Sequence, residues 1–276
     1  MTDPSAGVQR HYRSRATVER ILKALADDGQ DTARLTAEML YPLDQFHGRG
    51  IAATRENVAR LGLDATKHVL DVGAGVGGPA RYIAANFGCR VTGIDLTEGF
   101  VAAAIELTQR CGLADKVSFR QGNALKMPFA DAGFDAATCF NVTMNIADKA
   151  GLAREIGRVL KRSARLVWTE AAQGPAGAPI FPLPWARTPD ISFLAPPAAI
   201  RAAIEAGGFR IVEWIDESPN FGTVGRDAQT NPQTALVNRQ ANEIVMGEDF
   251  LVRVRNVGSG IAERRLIPIL AVAERL

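Results

Sequence analysis

The run His68-Val-Leu-Asp-Val-Gly-Ala-Gly-Val-Gly-Gly78 is where residue types and spacing could do chemistry. An apolar strand runs into an acid, then a glycine-rich turn, then a helix that Pro79 can open because its missing N–H costs nothing in a first turn. Glycines there let the backbone bend sharply and come close to a ligand that any Cβ would hit. The carboxyl end of a parallel strand is where open α/β sheets bind, so a nucleotide-type guest is implied. Gly73, Gly75 and Gly77 spell GxGxG, while Gly73, Gly75 and Gly78 also satisfy the dinucleotide fingerprint GxGxxG. Asp95, ending the next strand, is placed to meet a ribose under either reading. The glycines alone leave both open. Asp71 argues between them: two residues before the first glycine, a carboxylate would repel a pyrophosphate but suits an ammonium group.

The elements that must position these residues follow from periodicity. Residues from about Thr17 to Leu63 repeat apolar positions at helical spacing, with Val18, Ile21, Leu22 and Leu25 on one face. From Lys67 to Ala172, β-branched runs alternate with helix-length segments. Strands are predicted over His68–Val72, Arg90–Asp95, Val117–Gln121, Phe134–Phe140 and Ala164–Thr169, and helices over Pro79–Phe87, Gly99–Cys111 and Lys149–Leu160. That alternation means right-handed crossovers and a parallel sheet covered on both faces. Gln173 to Pro197 carries seven prolines together with Phe181, Trp185 and Phe193, the texture of an ordered lid or binding loop. A helix over Ala198–Gly207, a strand over Phe209–Asp216, a helix around Ala235–Phe250 and a strand over Leu266–Ala273 complete the reading. The expected organisation is a helical cap over 1–63, a ligand-binding core over 64–172, a Pro-rich lid over 173–199, and the rest of the core sheet over 200–276.

Composition narrows the class. With 276 residues, 47% hydrophobic and 22% charged, the chain can build one sizeable core. Thirty-two basic against 30 acidic side chains give a formal charge of +2, so bulk charge argues for no nucleic-acid partner. Cys89, Cys111 and Cys139 are odd in number and far apart, which speaks against a disulfide framework or a zinc site. The polar start lacks a signal-peptide core and the apolar runs are too short for a membrane span. A cytoplasmic globular protein is expected, with no membrane partner and with homodimerisation open.

Further motifs occur in order: Gln121-Gly-Asn-Ala124 after the third strand, Leu125-Lys-Met-Pro-Phe129, Phe134-Asp135 at the fourth, and Glu155-Ile-Gly-Arg-Val-Leu-Lys161 before the fifth. The series, over roughly Leu40 to Phe209, resembles a class I S-adenosylmethionine-dependent methyltransferase of the small-molecule type. Leu43-Asp-Gln-Phe-His-Gly-Arg-Gly50, Gly77-Gly-Pro-Ala-Arg81, Met144-Asn-Ile-Ala-Asp-Lys149 and Pro182-Leu-Pro-Trp-Ala186 are similar to a UbiE-like group that includes sarcosine/dimethylglycine N-methyltransferases. The resemblance implies a Rossmann-like α/β fold with a mostly parallel seven-stranded sheet. It also implies S-adenosylmethionine as cofactor, S-adenosylhomocysteine as product, and methyl transfer to a nucleophilic N, O, S or C of a small metabolite. The alternatives are a catalytically silent cofactor-binding protein of the same fold and a NAD-dependent oxidoreductase using the overlapping GxGxxG.

By the same resemblance, Gly73, Ala74, Gly75 and Gly77 pass under the cofactor, with Asp71 near its ammonium group and Asp95 on both ribose hydroxyls. Leu96 packs on the adenine, Asn123 and Ala124 meet its edge, and Asn141 approaches the methionine part through its backbone. Tyr12 closes over the cofactor and Gln45 meets its carboxylate end. His47 is the candidate general base, or else holds its loop through an Nδ1–H bond to a backbone carbonyl. Tyr41, Met144, Asn145, Phe181, Trp185 and Arg187 are the candidates for the acceptor. Two positions depart from the family pattern. Asn123 stands where Asp is common, and Arg162-Ser-Ala164 replaces a Pro-Gly-Gly turn, for which a stability difference alone is expected.

Overall fold

The computed structural model describes residues 7–9, 17–221, 247 and 249–276. Among the described residues, 7–9 are helical, and α1 (Thr17–Asp27), α2 (Ala37–Asp44) and α3 (Gly50–Ala59) follow ahead of the sheet. The core then alternates β1 (His68–Val72), α4 (Gly78–Phe87), β2 (Arg90–Asp95), α5 (Glu98–Arg110), β3 (Val117–Gln121), β4 (Phe134–Phe140), α6 (Lys149–Val159) and β5 (Leu160–Gln173). After the Pro-rich segment come α7 (Pro197–Ala206), β6 (Phe209–Asp216), α8 (Phe250–Ala262) and β7 (Leu266–Arg275). The sheet order is β3-β2-β1-β4-β5-β7-β6. β1 to β5 pair in parallel, and β7 lies antiparallel between β5 and β6.

Burial on both faces explains why these strands read as continuous apolar runs. Val69 faces a cluster with Val58, Ile83 and Val91, while its neighbours Leu70 and Val72 face another with Leu152, Ile156 and Trp168. The chain leaves β1 towards β2 on one side and meets β4 on the other. That reversal, at the carboxyl ends of β1 and β4, is the switch point where open α/β sheets form their binding crevice. The glycine turn, Asp95, Asn141 and the 3-10 turn Thr143–Asn145 all lie at that end. Among the described residues, no helix is long and apolar enough to cross a membrane.

Most expected elements occur within two residues of their expected ends, with two differences. β5 spans Leu160–Gln173 rather than Ala164–Thr169, because Leu160 pairs with Phe134 ahead of a register shift and β7 pairs as far as Gln173↔Leu266. The helix expected around Ala235–Phe250 lies almost wholly outside the described residues; Phe250 instead opens α8. Arg253 on α8 is 2% exposed and pairs with Asp249. The departure at Arg162-Ser-Ala164 has a structural cost. Ser163 sits at φ 61 beside a register shift between β4 and β5. An L-residue in the left-handed region loses about 1–2 kcal/mol, which glycine avoids. Ser163→Gly should therefore stabilise the fold by about 1 kcal/mol, read as a raised urea midpoint at constant slope.

Candidate functional site

Asp71 is 2% exposed at the end of β1. Thr138 donates to its Oδ1 at 2.7 Å, and Oδ2 has no hydrogen-bond partner among the described residues. Burial pushes its carboxyl up to about 7, with Asp95 adding repulsion and Thr138 and Arg81 opposing. A buried acid with one unpaired oxygen is the counterpart an ammonium group needs.

The turn that follows is closely packed at two of its glycines. Gly73, Gly75 and Gly77 all have positive φ, and a Cβ on Gly73 would collide with Val142, one on Gly77 with Phe119 and Arg81. Gly73 and Ala74 donate to Ile94 O at 2.8 and 3.0 Å, fixing the turn on the end of β2. Asp95 then ties the two loops together: Oδ2 accepts from Gly75 N–H at 2.9 Å and Oδ1 from Thr97 N–H at 2.8 Å. Each oxygen keeps a lone pair, so the carboxylate can still accept from a vicinal diol. Burial raises its carboxyl and these backbone bonds hold it down in part. Leu96 is half-buried beside it. Asn123 uses one lone pair of Oδ1 to accept from Leu125 N–H, leaving its Nδ2 hydrogens for an adenine edge. Asn141 occupies the left-handed region at φ 56, its side chain accepting from Thr169 Oγ1 at 2.8 Å. Together, the unpaired Asp71 oxygen, the glycine cradle and the diol-ready Asp95 fit a group bearing an ammonium and a ribose.

Residues 44–47 pack on this turn. A Cβ on Gly78 would strike Asp44 O and Gln45 Nε2. Arg81, wholly buried on α4, donates to Asp44 Oδ2 at 2.9 Å, Val76 O at 2.7 Å and Thr108 Oγ1 at 3.1 Å. His47 lies edge-on to Phe140, the last residue of β4, with ring centroids 5.7 Å apart. Desolvation pulls its imidazole down to about 4, so it is neutral at pH 7. Gln45 is buried, with Nε2 donating to Asp44 Oδ1 at 2.7 Å and Oε1 accepting from Thr54 Oγ1 at 2.6 Å. Its amide is thus engaged by protein on both sides, unlike the open cofactor contact expected.

The acceptor candidates separate. Met144 and Trp185, 2% and 4% exposed, share one apolar cluster with Leu183, Ala186 and Val8, and Phe181 and Leu96 border it. Three other expectations are corrected. Tyr41 is buried against Tyr82 and its hydroxyl accepts from Asn86, so it packs α2 onto α4. Asn145 donates to Trp185 O and Ile191 O, both at 2.9 Å, and so anchors the lid. Arg187 is exposed and ion-paired with Asp249, which withdraws it from a substrate carboxylate. Tyr12 lies outside the described residues. Residues missed in the sequence are Thr54, Asp44, Lys149 and Glu170. Asp44 and Lys149 stood inside motifs already singled out, but a buried charge shows itself only through a distant partner.

Comparison with known proteins agrees with this geometry. Residues 70–168 match the family described as methyltransferase domain. The chain is 42% identical over 114 residues to sterol 24-C-methyltransferase ERG6B of Gibberella zeae, covering 41% of this chain and 30% of that protein. It is 33% identical over 175 residues to O-methyltransferase resE of Aspergillus sclerotiorum, covering 62% and 65%. The chain thus spans less than two thirds of either curated relative. A crystal structure of geranyl diphosphate C-methyltransferase from Streptomyces coelicolor, bound to S-adenosylhomocysteine, superposes over 100% of this chain and 99% of that one. Its TM-score is 0.72 at 18% identity, a likeness of fold. The (4+2)-cyclase SpnF, 25% identical, covers 81% of this chain and 80% of its own with a TM-score of 0.60. Residues 70–168 thus carry a methyltransferase domain, set in a fold shared with a geranyl diphosphate C-methyltransferase and lined by groups suited to S-adenosylmethionine.

Proposed function

We propose that the protein transfers a methyl group from S-adenosylmethionine to a nucleophilic N, O, S or C of a small, largely apolar metabolite. The observation that carries this is the buried, unpaired Asp71 oxygen beside a glycine cradle and Asp95. When bound, the cofactor supplies an electrophilic methyl group and its own leaving group. Asp71 holds the ammonium, Gly73 to Gly77 let the backbone approach, Asp95 accepts from the ribose, and Leu96, Asn123 and Ala124 frame the adenine. Holding nucleophile and methyl carbon in line is the protein's main task, worth about 7–11 kcal/mol in favourable cases.

The cap over 1–63 and the lid over 173–199 exclude water and define the acceptor, while 64–172 and 200–276 supply the sheet. Met144, Trp185 and Phe181 form an apolar wall. Two charges near it among the described residues are paired, Lys149 with Glu170 and Arg187 with Asp249, which favours an uncharged acceptor over a small zwitterion such as sarcosine. The three free cysteines support a reducing cytoplasm, and the charge of +2 supports a small-molecule partner over nucleic acid.

A thermal-shift titration with S-adenosylhomocysteine, run beside NAD, tests the cofactor, since a ligand that binds the native state raises the melting temperature. A rise with NAD alone would overturn the reading. Asp95→Ala should weaken S-adenosylhomocysteine binding by roughly tenfold or more, as one charge-assisted hydrogen bond is worth about 1.5–3 kcal/mol. Unchanged affinity in calorimetry removes Asp95 from the site. A second reading, cofactor binding without methyl transfer, draws on the kinship with a cyclase. Screening labelled methyl transfer to phenols, thiols, amines and alkenes separates the two.

A further inference from the structure

Counting donors along the buried polar chain beside the crevice fixes the proton positions on His47. Gln45 must turn its NH2 towards Asp44, because a flipped amide would set its carbonyl oxygen against a carboxylate at 2.7 Å. Its Oε1 therefore faces Thr54 Oγ1 at 2.6 Å. Two bare oxygens repel at that distance, so the single Thr54 hydroxyl hydrogen lies between them. Thr54 Oγ1 is then an acceptor towards His47, whose Nε2 stands 2.9 Å away and must carry the hydrogen. Nδ1 lies 3.5 Å from Gly48 O, too far to outweigh the loss of the shorter contacts. The neutral ring is left with its lone pair on Nδ1. Arg81 anchors the far end of the chain through the buried Asp44 ion pair.

We propose that Thr54 and Gln45 are positioning residues that lock His47 as the Nε2–H tautomer, making Nδ1 the atom that takes the acceptor's proton. This rests on the methyltransferase reading for the step itself and on the hydrogen-bond chain for the tautomer. In the step, the acceptor's X–H bond breaks, its electron pair stays on X to form the bond to the methyl carbon, and an Nδ1–H bond forms. The positive charge given up at the cofactor's sulfur is taken up by the imidazolium, so the charge in the crevice is unchanged. For a carbon acceptor, the same atom takes the proton lost after methylation.

The experiment is nitrogen-15 NMR of the full chain labelled at histidine, with the His47 signals assigned by their absence in His47→Asn. The parent should show a one-bond proton coupling at Nε2 and an imine-type shift at Nδ1. Thr54→Val, close in shape, should lose that pattern and move hydrogen to Nδ1 beside Gly48 O, while Thr54→Ser restores it. S-adenosylhomocysteine affinity should stay the same in all three. With whichever acceptor turns over in the methyl-transfer screen, kcat of Thr54→Val should fall by about tenfold or more, towards the roughly 10²–10⁴-fold that a positioned base supplies. A parent ring protonated at Nδ1, a Thr54→Val spectrum like the parent's, or an unchanged kcat would each overturn the proposal. Failure of S-adenosylhomocysteine to bind would instead strike the cofactor reading, since the tautomer is read without it.

Discussion

Asp71→Asn should melt at a higher temperature than the parent at pH 8 and yet bind S-adenosylhomocysteine roughly tenfold more weakly or worse. Burial holds the Asp71 carboxyl at about 7 against an ordinary 3.8. Below pH 4 the group is neutral whether the chain is folded or not. As the pH rises, the unfolded chain ionises first, and stability is lost until the folded carboxyl ionises near pH 7. That difference of about 3 pKa units is worth about 4 kcal/mol above pH 7. Asparagine removes the penalty and its carbonyl can still accept from Thr138. The gain should therefore be largest at pH 8 and vanish near pH 4. The parent's affinity for S-adenosylhomocysteine should tighten from pH 6 to 7.5 as the carboxylate forms to meet the ammonium, and the variant's should not. A variant less stable than the parent at pH 8, or equally pH-dependent in binding, sinks the assignment of Asp71 to the ammonium.

The same residue shows why the crevice was largely legible in the sequence. Asp71, Gly73, Gly75 and Asp95 are local in chain terms: each lies at or just past the end of a strand, and the strand pattern places them. β1 to β4 and β6 match their expected bounds because β-branched runs there are cut off by glycine, asparagine or aspartate. The expected β5 is four residues short at each end, because neither Leu160 to Ser163 nor Glu170 to Gln173 has a strand pattern of its own; pairing with Phe134 of β4 and with β7 holds them extended. What was not legible depends on partners far along the chain. Arg81 and Asp44 are 37 residues apart, and Asn145 meets Trp185 and Ile191 across 40 and 46. Arg187 is a further case: its partner Asp249, which also pairs with the buried Arg253, lies 62 residues along the chain.

Lys149 gives the second large effect, through the apolar wall proposed to receive the acceptor. The side chain is 6% exposed at the first residue of α6, and Nζ donates to Thr143 O at 2.7 Å, Phe193 O at 2.9 Å and Ile146 O at 3.3 Å. It thus ties the 3-10 turn bearing Met144 to the lid. Its charge is met by Glu170 Oε2 at 3.5 Å, whose other oxygen accepts from Trp168 Nε1 at 2.8 Å. Removing one member of such a pair costs about 3–5 kcal/mol, because the other charge stays buried, whereas removing both costs far less. Lys149→Met should therefore lose about that much in urea unfolding, and Lys149→Met with Glu170→Gln should recover a good part of it. Burial already raises the Glu170 carboxyl with Lys149 opposing, so without Lys149 it rises further. A raised acid is costly only above the unfolded pKa, so the loss in Lys149→Met should shrink as the pH falls from 8 to 5. The double variant still lacks the tie to Phe193 O, and proteolysis within 175–197 should stay faster than in the parent even where stability returns. Additive losses across the two substitutions, with no pH dependence, would mean that the pair is not coupled and that the lid is held by Asn145 and apolar packing alone.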